Sequence, residues 1–210
     1  CREGAKVKKR NTTTSQLQQD FLLHMSKHSS TKHIYTDGSK SQSGVGFGIV
    51  YGQNLERCIR GTLPVETTIF AAEIQAILRA LTVIEDSIHL SWTIFTDSQS
   101  SLQAITQLKP KHPLIKTIQT RLIGLQHQQK KICFCKIPSH VGIRGNEAAD
   151  KAANESLELP GLHTTKVYHR DYHFPIRRSI MNRWQSRWDQ QIHNKLKQSK
   201  PCVKPWSNIP

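Results

Sequence analysis

A glutamate placed inside an otherwise apolar helix constrains this chain more than any other feature. Between Thr67 and Ile84, the residues Ile69, Phe70, Ala72, Ile74, Ala76, Ile77, Leu78, Ala80, Leu81 and Ile84 recur as a well-buried helix requires. Thr67 or Thr68 can cap its start. Glu73 stands in the middle of that run, where an unpaired charge costs several kcal/mol unless something binds it. Any fold must therefore supply Glu73 with a partner or leave it half exposed.

The flanking segments indicate the class of fold. Upstream lie three short β-rich runs, His33–Asp37, Gly44–Tyr51 and Glu56–Thr62, separated by Gly, Ser, Asn and Gln turns, and together they read as an antiparallel meander. Downstream come a strand at Trp92–Asp97, a short helix from Ser98 to Leu108, and a break at Pro110 and Pro113. A helix over Leu114–Gln129, a strand over Ile132–Ile137 and a helix around Asn146–Glu155 complete the unit. The order βββ-α-β-α-α-β-α predicts an α/β fold with a mixed sheet flanked by helices.

Charge divides the chain of 210 residues into three parts. The formal net charge is +15, an argument for a polyanionic partner such as nucleic acid or an anionic surface. Residues 1–30 are basic and polar, and are expected to be a flexible lead-in ending in a short helix around Gln16–Met25. Residues 31–157 form the expected folded domain and are close to neutral. Residues 158–210 form a basic extension that contains tryptophan. Within it Ile176, Ile180, Trp184, Trp188, Ile192 and Leu196 recur every fourth residue, a stripe that winds around a helix by about 40° per step.

No run of about 18 apolar residues exists, so no membrane span and no membrane partner are expected. There is no apolar core of a secretory signal. The chain begins at Cys1 and is read as a piece of something longer. Five scattered cysteines without a CxxC pair argue against a disulfide framework and against a structural zinc site. Cys133 and Cys135 alternate on one strand face and are expected to pack as small apolar residues. The expected location is intracellular, in cytoplasm or nucleus.

Two strands end in an acid, at Tyr35-Thr36-Asp37-Gly38-Ser39 and Phe95-Thr96-Asp97-Ser98. If they lie side by side, both carboxylates project at one end of the sheet. Glu73 and Asp150, the latter placed near the start of the last helix, complete a set of four. Converging carboxylates repel one another, and hard divalent cations such as Mg²⁺ or Mn²⁺ resolve that repulsion. Singly, each aspartate is more often a turn former, and Glu73 alone can be ion-paired. The case rests on the combination.

That combination resembles a known family. Asp37-Gly38-Ser39, Ala72-Glu73, Thr96-Asp97-Ser98 and the run Pro138-Ser139-His140-Val141-Gly142-Ile143-Arg144-Gly145-Asn146-Glu147-Ala148-Ala149-Asp150 look like the four motif segments of type 1 ribonuclease H, in the right order. The wording of the last segment is closest to ribonuclease H domains of non-LTR retrotransposon polyproteins. The resemblance implies a ribonuclease H-like mixed five-stranded sheet flanked by helices, here with a basic helical C-terminal extension. It also implies an endonuclease that cuts the RNA strand of RNA–DNA hybrids and leaves 5′-phosphate and 3′-hydroxyl ends. Asp37, Glu73, Asp97 and Asp150 would hold two Mg²⁺ ions, with Mn²⁺ as a substitute. His140, on the Ser139–Gly145 loop, would shuttle a proton or speed product release.

Further expectations attach to the substrate. Backbone groups around Gly38, Ser39 and Gly44 would approach the strand whose 2′-hydroxyls are read, Ser98 and Gln99 would meet a phosphate or the DNA strand, and Asn146 and Glu147 would contact the substrate as well. The basic, tryptophan-bearing helical insertion of some family members is absent from the short Lys109–Lys131 stretch. Lys109, Lys111, Lys116, Lys130 and Lys131 are left as sources of phosphate contacts there. A reverse transcriptase domain in a parent polyprotein is the implied covalent partner. Rival readings are a DNA-cutting transposase or integrase relative, and a degenerate, non-catalytic domain that binds nucleic acid or links a polyprotein. The presence of all four carboxylates argues against the last.

Overall fold

In the computed structural model, which describes residues 13–26, 30–158 and 168–204, contacts divide the chain into two units, Cys1–Tyr168 and His169–Pro210. The first unit begins with a helix, Thr14–Ser26 (α1), followed by Lys32–Lys40 (β1), Val45–Tyr51 (β2) and Arg57–Leu63 (β3). Ile69–Glu85 (α2), Ser91–Thr96 (β4), Gln99–Ile105 (α3), Pro113–His127 (α4), Lys131–Lys136 (β5) and Arg144–Ser156 (α5) complete it. The five strands make one sheet in the order β3-β2-β1-β4-β5. The β1–β2 and β2–β3 pairs are antiparallel, while β1–β4 and β4–β5 are parallel. This is the mixed sheet that the element order predicts, with the five strands that the family resemblance implies.

Alternation along the strands sorts side chains onto two faces. Ile34, Val45, Phe47, Ile49, Trp92 and Ile94 meet the apolar side of α2, whose Ile74, Ile77, Leu81 and Ile84 are fully buried. Each such side chain contributes about 1.5–3 kcal/mol. Thr68 caps this helix, its hydroxyl accepting from the Ala71 amide at 3.1 Å. Lys130 lies at the other end, its ammonium on the carbonyls of Ile84, Glu85 and Ser87. It satisfies the helix C-terminus and is engaged there, contrary to its expected use on phosphate.

The opposite face is covered in two pieces. Helix α5 packs on β1, β2 and β3, and Gly46 and Gly48 let its backbone come close. A Cβ on Gly48 would lie 2.6 Å from both the Ala149 carbonyl oxygen and the Ala153 nitrogen. Helix α1 covers apolar surface on the β4–β5 side. Its Leu17, Phe21 and Met25 pack onto the cluster that holds Phe95, Cys135 and Ile137, with the Phe21 and Phe95 rings edge to face at 5.8 Å. Cys135 is buried and Cys133 half-buried, as their expected packing requires.

Strand β1 differs from its sequence reading. It does not end at Asp37 but runs on to Lys40, because β2 keeps pairing with it from Asp37↔Gly48 to Lys40↔Val45. Asp37 is thus an interior residue of a central strand.

In the second unit a helix, His173–Asp189 (α6), follows a short 3-10 turn, and a four-residue helix, Leu196–Ser199 (α7), comes after it. No residue of α6 is buried. The helix stops at Asp189, so only Ile176, Ile180, Trp184 and Trp188 of the apolar stripe lie on it, and Ile192 and Leu196 fall beyond. The chain folds back along the helix instead. Trp188 Nε1 donates to the Lys200 carbonyl, and Gln185 holds both the Pro201 carbonyl and the Val203 amide, all at 2.9 Å. Among the described residues no helix is long and apolar enough to cross a membrane.

Candidate active site

Parallel pairing sets the level of the first two acids. Thr36 lies opposite Thr96 across β1 and β4, so Asp37 and Asp97 follow at the same height. Asp37 continues within β1 and is buried, whereas Asp97 lies just past the end of β4 and is partly exposed. The first turns of α2 then deliver Glu73 from above. Gly38 makes this possible, because a Cβ there would sit 2.9 Å from the Glu73 nitrogen and 3.1 Å from its Cγ. One carboxylate oxygen from each of Asp37, Glu73 and Asp97 lies within 4.8 Å of the others. Asp150 arrives from the other face of the sheet, on α5. It stands outside that trio but close enough for its charge to act on the Asp37 carboxyl.

Burial and like charge act together on the two inner acids. Desolvation raises Asp37 most, the charges of Asp97 and Asp150 add to it, and the carboxyl is pushed up to about 8 despite a hydrogen bond from the Gly38 backbone. Glu73 is pushed up to about 9, by burial first and then by Asp37 and Asp97. Its Oε2 is buried and finds no hydrogen-bond partner among the described residues. Such an orphaned oxygen is costly on its own and calls for a ligand. The donor set is all carboxylate oxygen, with no thiolate or imidazole, and so fits a hard divalent cation of the Mg²⁺ or Mn²⁺ kind.

The other residues singled out from sequence take distinct places. His140 is exposed on the loop between β5 and α5, with a left-handed backbone at φ 52°. Glu147, in the first turn of α5, accepts from the Gly142 amide at 3.3 Å and so fastens that loop. Asn146 is 1 % exposed, its Oδ1 without a partner among the described residues, so it sits beneath the surface rather than at a contact with a duplex. Ser39 is tied through its hydroxyl to Asn154 of α5. Ser98 is the N-cap of α3 and accepts from the Ser101 amide, while Gln99 is exposed beside it.

Two residues of this neighbourhood escaped the sequence reading. Lys136 lies opposite Thr96 in the β4–β5 register and hydrogen-bonds Gln99 Oε1 at 3.0 Å, which brings a cation to the rim next to Asp97. The alternation of β5 together with its parallel register could have placed it. Asn154 carries no comparable signal, since its partner Ser39 is 115 positions away in sequence.

Comparisons with known proteins bear on the family. Among solved structures the chain is similar to RNase H1 from the halophilic archaeon Halobacterium salinarum NRC-1, with 24% sequence identity and a TM-score of 0.48. That match covers 61% of this chain and 98% of the archaeal one. A family model described as RNase H matches residues 29–158, well over half of the chain and all four acids. The chain belongs to the RNase H family.

Proposed function

We propose that this protein is an endoribonuclease that hydrolyses the RNA strand of RNA–DNA hybrids, with Asp37, Glu73, Asp97 and Asp150 holding two Mg²⁺ ions. One observation carries the reading: a buried, mutually repelling carboxylate trio with an orphaned oxygen, set in a chain of the RNase H family. Bound divalent ions supply Lewis acidity toward the scissile phosphate and a hydroxide-like water at neutral pH, and Mn²⁺ can replace Mg²⁺.

The protein's own groups then have separate tasks. Asp37 and Glu73 are buried, one within β1 and the other on α2, and fix the donor geometry. Asp97 and Asp150 are less buried and form the side of the site open to substrate. Water would add to the scissile phosphorus as the P–O3′ bond breaks, leaving 5′-phosphate and 3′-hydroxyl ends, and His140, on its exposed loop, would carry a proton or ease product release. Gly38 and Ser39 border the site on β1. Ser98, Gln99 and Lys136 form a polar, cationic rim for a phosphate. Asn146 and Glu147 support the substrate through the loop they sit beside.

The basic extension supplies grip rather than chemistry. Along α6, Arg178, Arg183 and Arg187 line one open face with Ser179, Asn182 and Ser186, a face suited to sequence-independent phosphate contacts. We read residues 31–157 as the cutting part and 158–210 as this accessory. The wording of the Pro138–Asp150 segment, closest to that of non-LTR retrotransposon ribonuclease H domains, supports reading the chain as part of such a polyprotein with a reverse transcriptase domain as covalent partner.

Substrate choice tests the proposal. A labelled RNA–DNA hybrid, the matching DNA duplex and the matching RNA duplex are incubated with the full chain and Mg²⁺. Cutting confined to the RNA of the hybrid is expected. Cutting of the DNA duplex would point to a transposase-like nuclease, and binding of the hybrid without cutting to a degenerate domain.

A further inference from the structure

Helix α1 lies outside the residues that match the RNase H family, yet it is fastened to the loop that carries His140. Its inner side places Leu17, Phe21 and Met25 at helical spacing on the cluster formed by Tyr35, Phe95, Cys135, Val141 and Ile143. One position beyond Leu17, the Gln18 side chain donates from Nε2 to the Val141 carbonyl at 2.6 Å. A Cβ on Gly142 would lie 2.8 Å from that same nitrogen, so helix and loop are in close contact.

The loop needs such fastening. His140 and Gly142 both have positive φ, 52° and 76°, and for His140 this left-handed geometry is unfavourable. Val141 and Ile143 are buried between and beside these residues, which leaves His140 as an exposed knuckle on an anchored stem. Two side chains outside the loop hold its backbone. Glu147, on α5, accepts from the Gly142 amide, and Gln18, on α1, donates to the Val141 carbonyl.

We propose that α1 is a strap that holds the His140 loop, and that Gln18 is a positioning residue acting on cleavage through His140. The activity part rests on the function proposed above. The structural part does not, because the loop's mobility can be read without any substrate.

The test compares the 210-residue chain with its Gln18→Glu variant, which keeps the side chain's size but removes its donor and sets a carboxylate against a carbonyl. Gln19→Glu, one position away and exposed, controls for the added charge. Hydrogen exchange of the amides at 139–143 is expected to rise about tenfold in Gln18→Glu, corresponding to roughly 1.4 kcal/mol of opening free energy, and to stay unchanged in Gln19→Glu. In hybrid cleavage, kcat should fall several-fold in Gln18→Glu with little change in KM. The same substitution made on a His140→Ala background should cost nothing further.

Unchanged exchange at 139–143 would overturn the strap. Faster exchange with an equal activity loss in both backgrounds would overturn the route through His140. A wild-type protein that cuts no hybrid would overturn the proposed function and the activity part with it, leaving exchange to decide the strap.

Discussion

At Glu73 burial and the neighbouring charges of Asp37 and Asp97 push the same way, and that gives the site a measurable pH dependence. Without metal, Glu73 and Asp37 keep their protons up to about 9 and about 8, far above an unfolded carboxylate. The folded state therefore binds more protons than the unfolded one across that window, and metal-free stability falls as pH rises from about 4 through 8–9. Glu73→Gln should flatten the fall, leaving the decline that Asp37 carries, so that the variant gains on the wild type in metal-free stability as pH rises from about 5 to about 9. Metal binding must displace those protons, so Mg²⁺ should raise the wild-type unfolding midpoint more at pH 8.5 than at pH 6, and raise it far less in Glu73→Gln. Thermal scans over pH check both; a variant as pH-sensitive as the wild type would contradict them. Glu73 was legible in the sequence because its anomaly is local, a charge among apolar neighbours. Ser39 with Asn154, and Gln18 with Val141, were not, because each pair joins positions more than a hundred residues apart and neither partner is unusual in its own segment.

Helix α5 and strand β2 meet without side-chain spacers at Gly46 and Gly48, and the position of Asp150 depends on that contact. Gly48→Ala would drive a methyl into the backbone of α5 at Ala149 and Ala153, costing about 1–3 kcal/mol in strain and shift. Asp150 is the next residue after Ala149, so hybrid cleavage should fall along with stability. Urea midpoints and initial rates test this together, and an unchanged pair would contradict the packing account. A milder loss, about 1 kcal/mol, is expected for Thr68→Ala at the N-cap of α2. Periodicity made α2, α5 and the strands readable, and capping chemistry narrowed the start of α2 to Thr67 or Thr68. It misplaced the end of β1, because Asp37-Gly38-Ser39 has the composition of a turn and only pairing with β2 keeps it extended. It also carried the stripe of α6 past Asp189, where the backbone leaves the helix although the fourfold spacing continues.

For the whole molecule, the sequence disclosed how charge is distributed and which fold class the element order allows. The strand order β3-β2-β1-β4-β5 and the covering of the β4–β5 side by α1 are long-range facts that no single segment records. The acids of the site and the basic face of α6 belong to different units. A chain ending at Tyr168 should still cut hybrid but bind it more weakly. The slope of log affinity against log salt should drop by about 0.9 for each phosphate that α6 no longer neutralises, using the value for duplex DNA. Identical salt slopes for the two forms would show that α6 takes no part in binding. The central claim, that the carboxylate cluster is a hybrid-cutting site, is tested most directly by the initial rate of Mg²⁺-dependent cleavage of a labelled RNA–DNA hybrid by the wild type and by folded Asp97→Asn. A loss on the order of 10³-fold, about 4 kcal/mol of barrier, is predicted for the variant, whereas equal rates in the two proteins would contradict the claim.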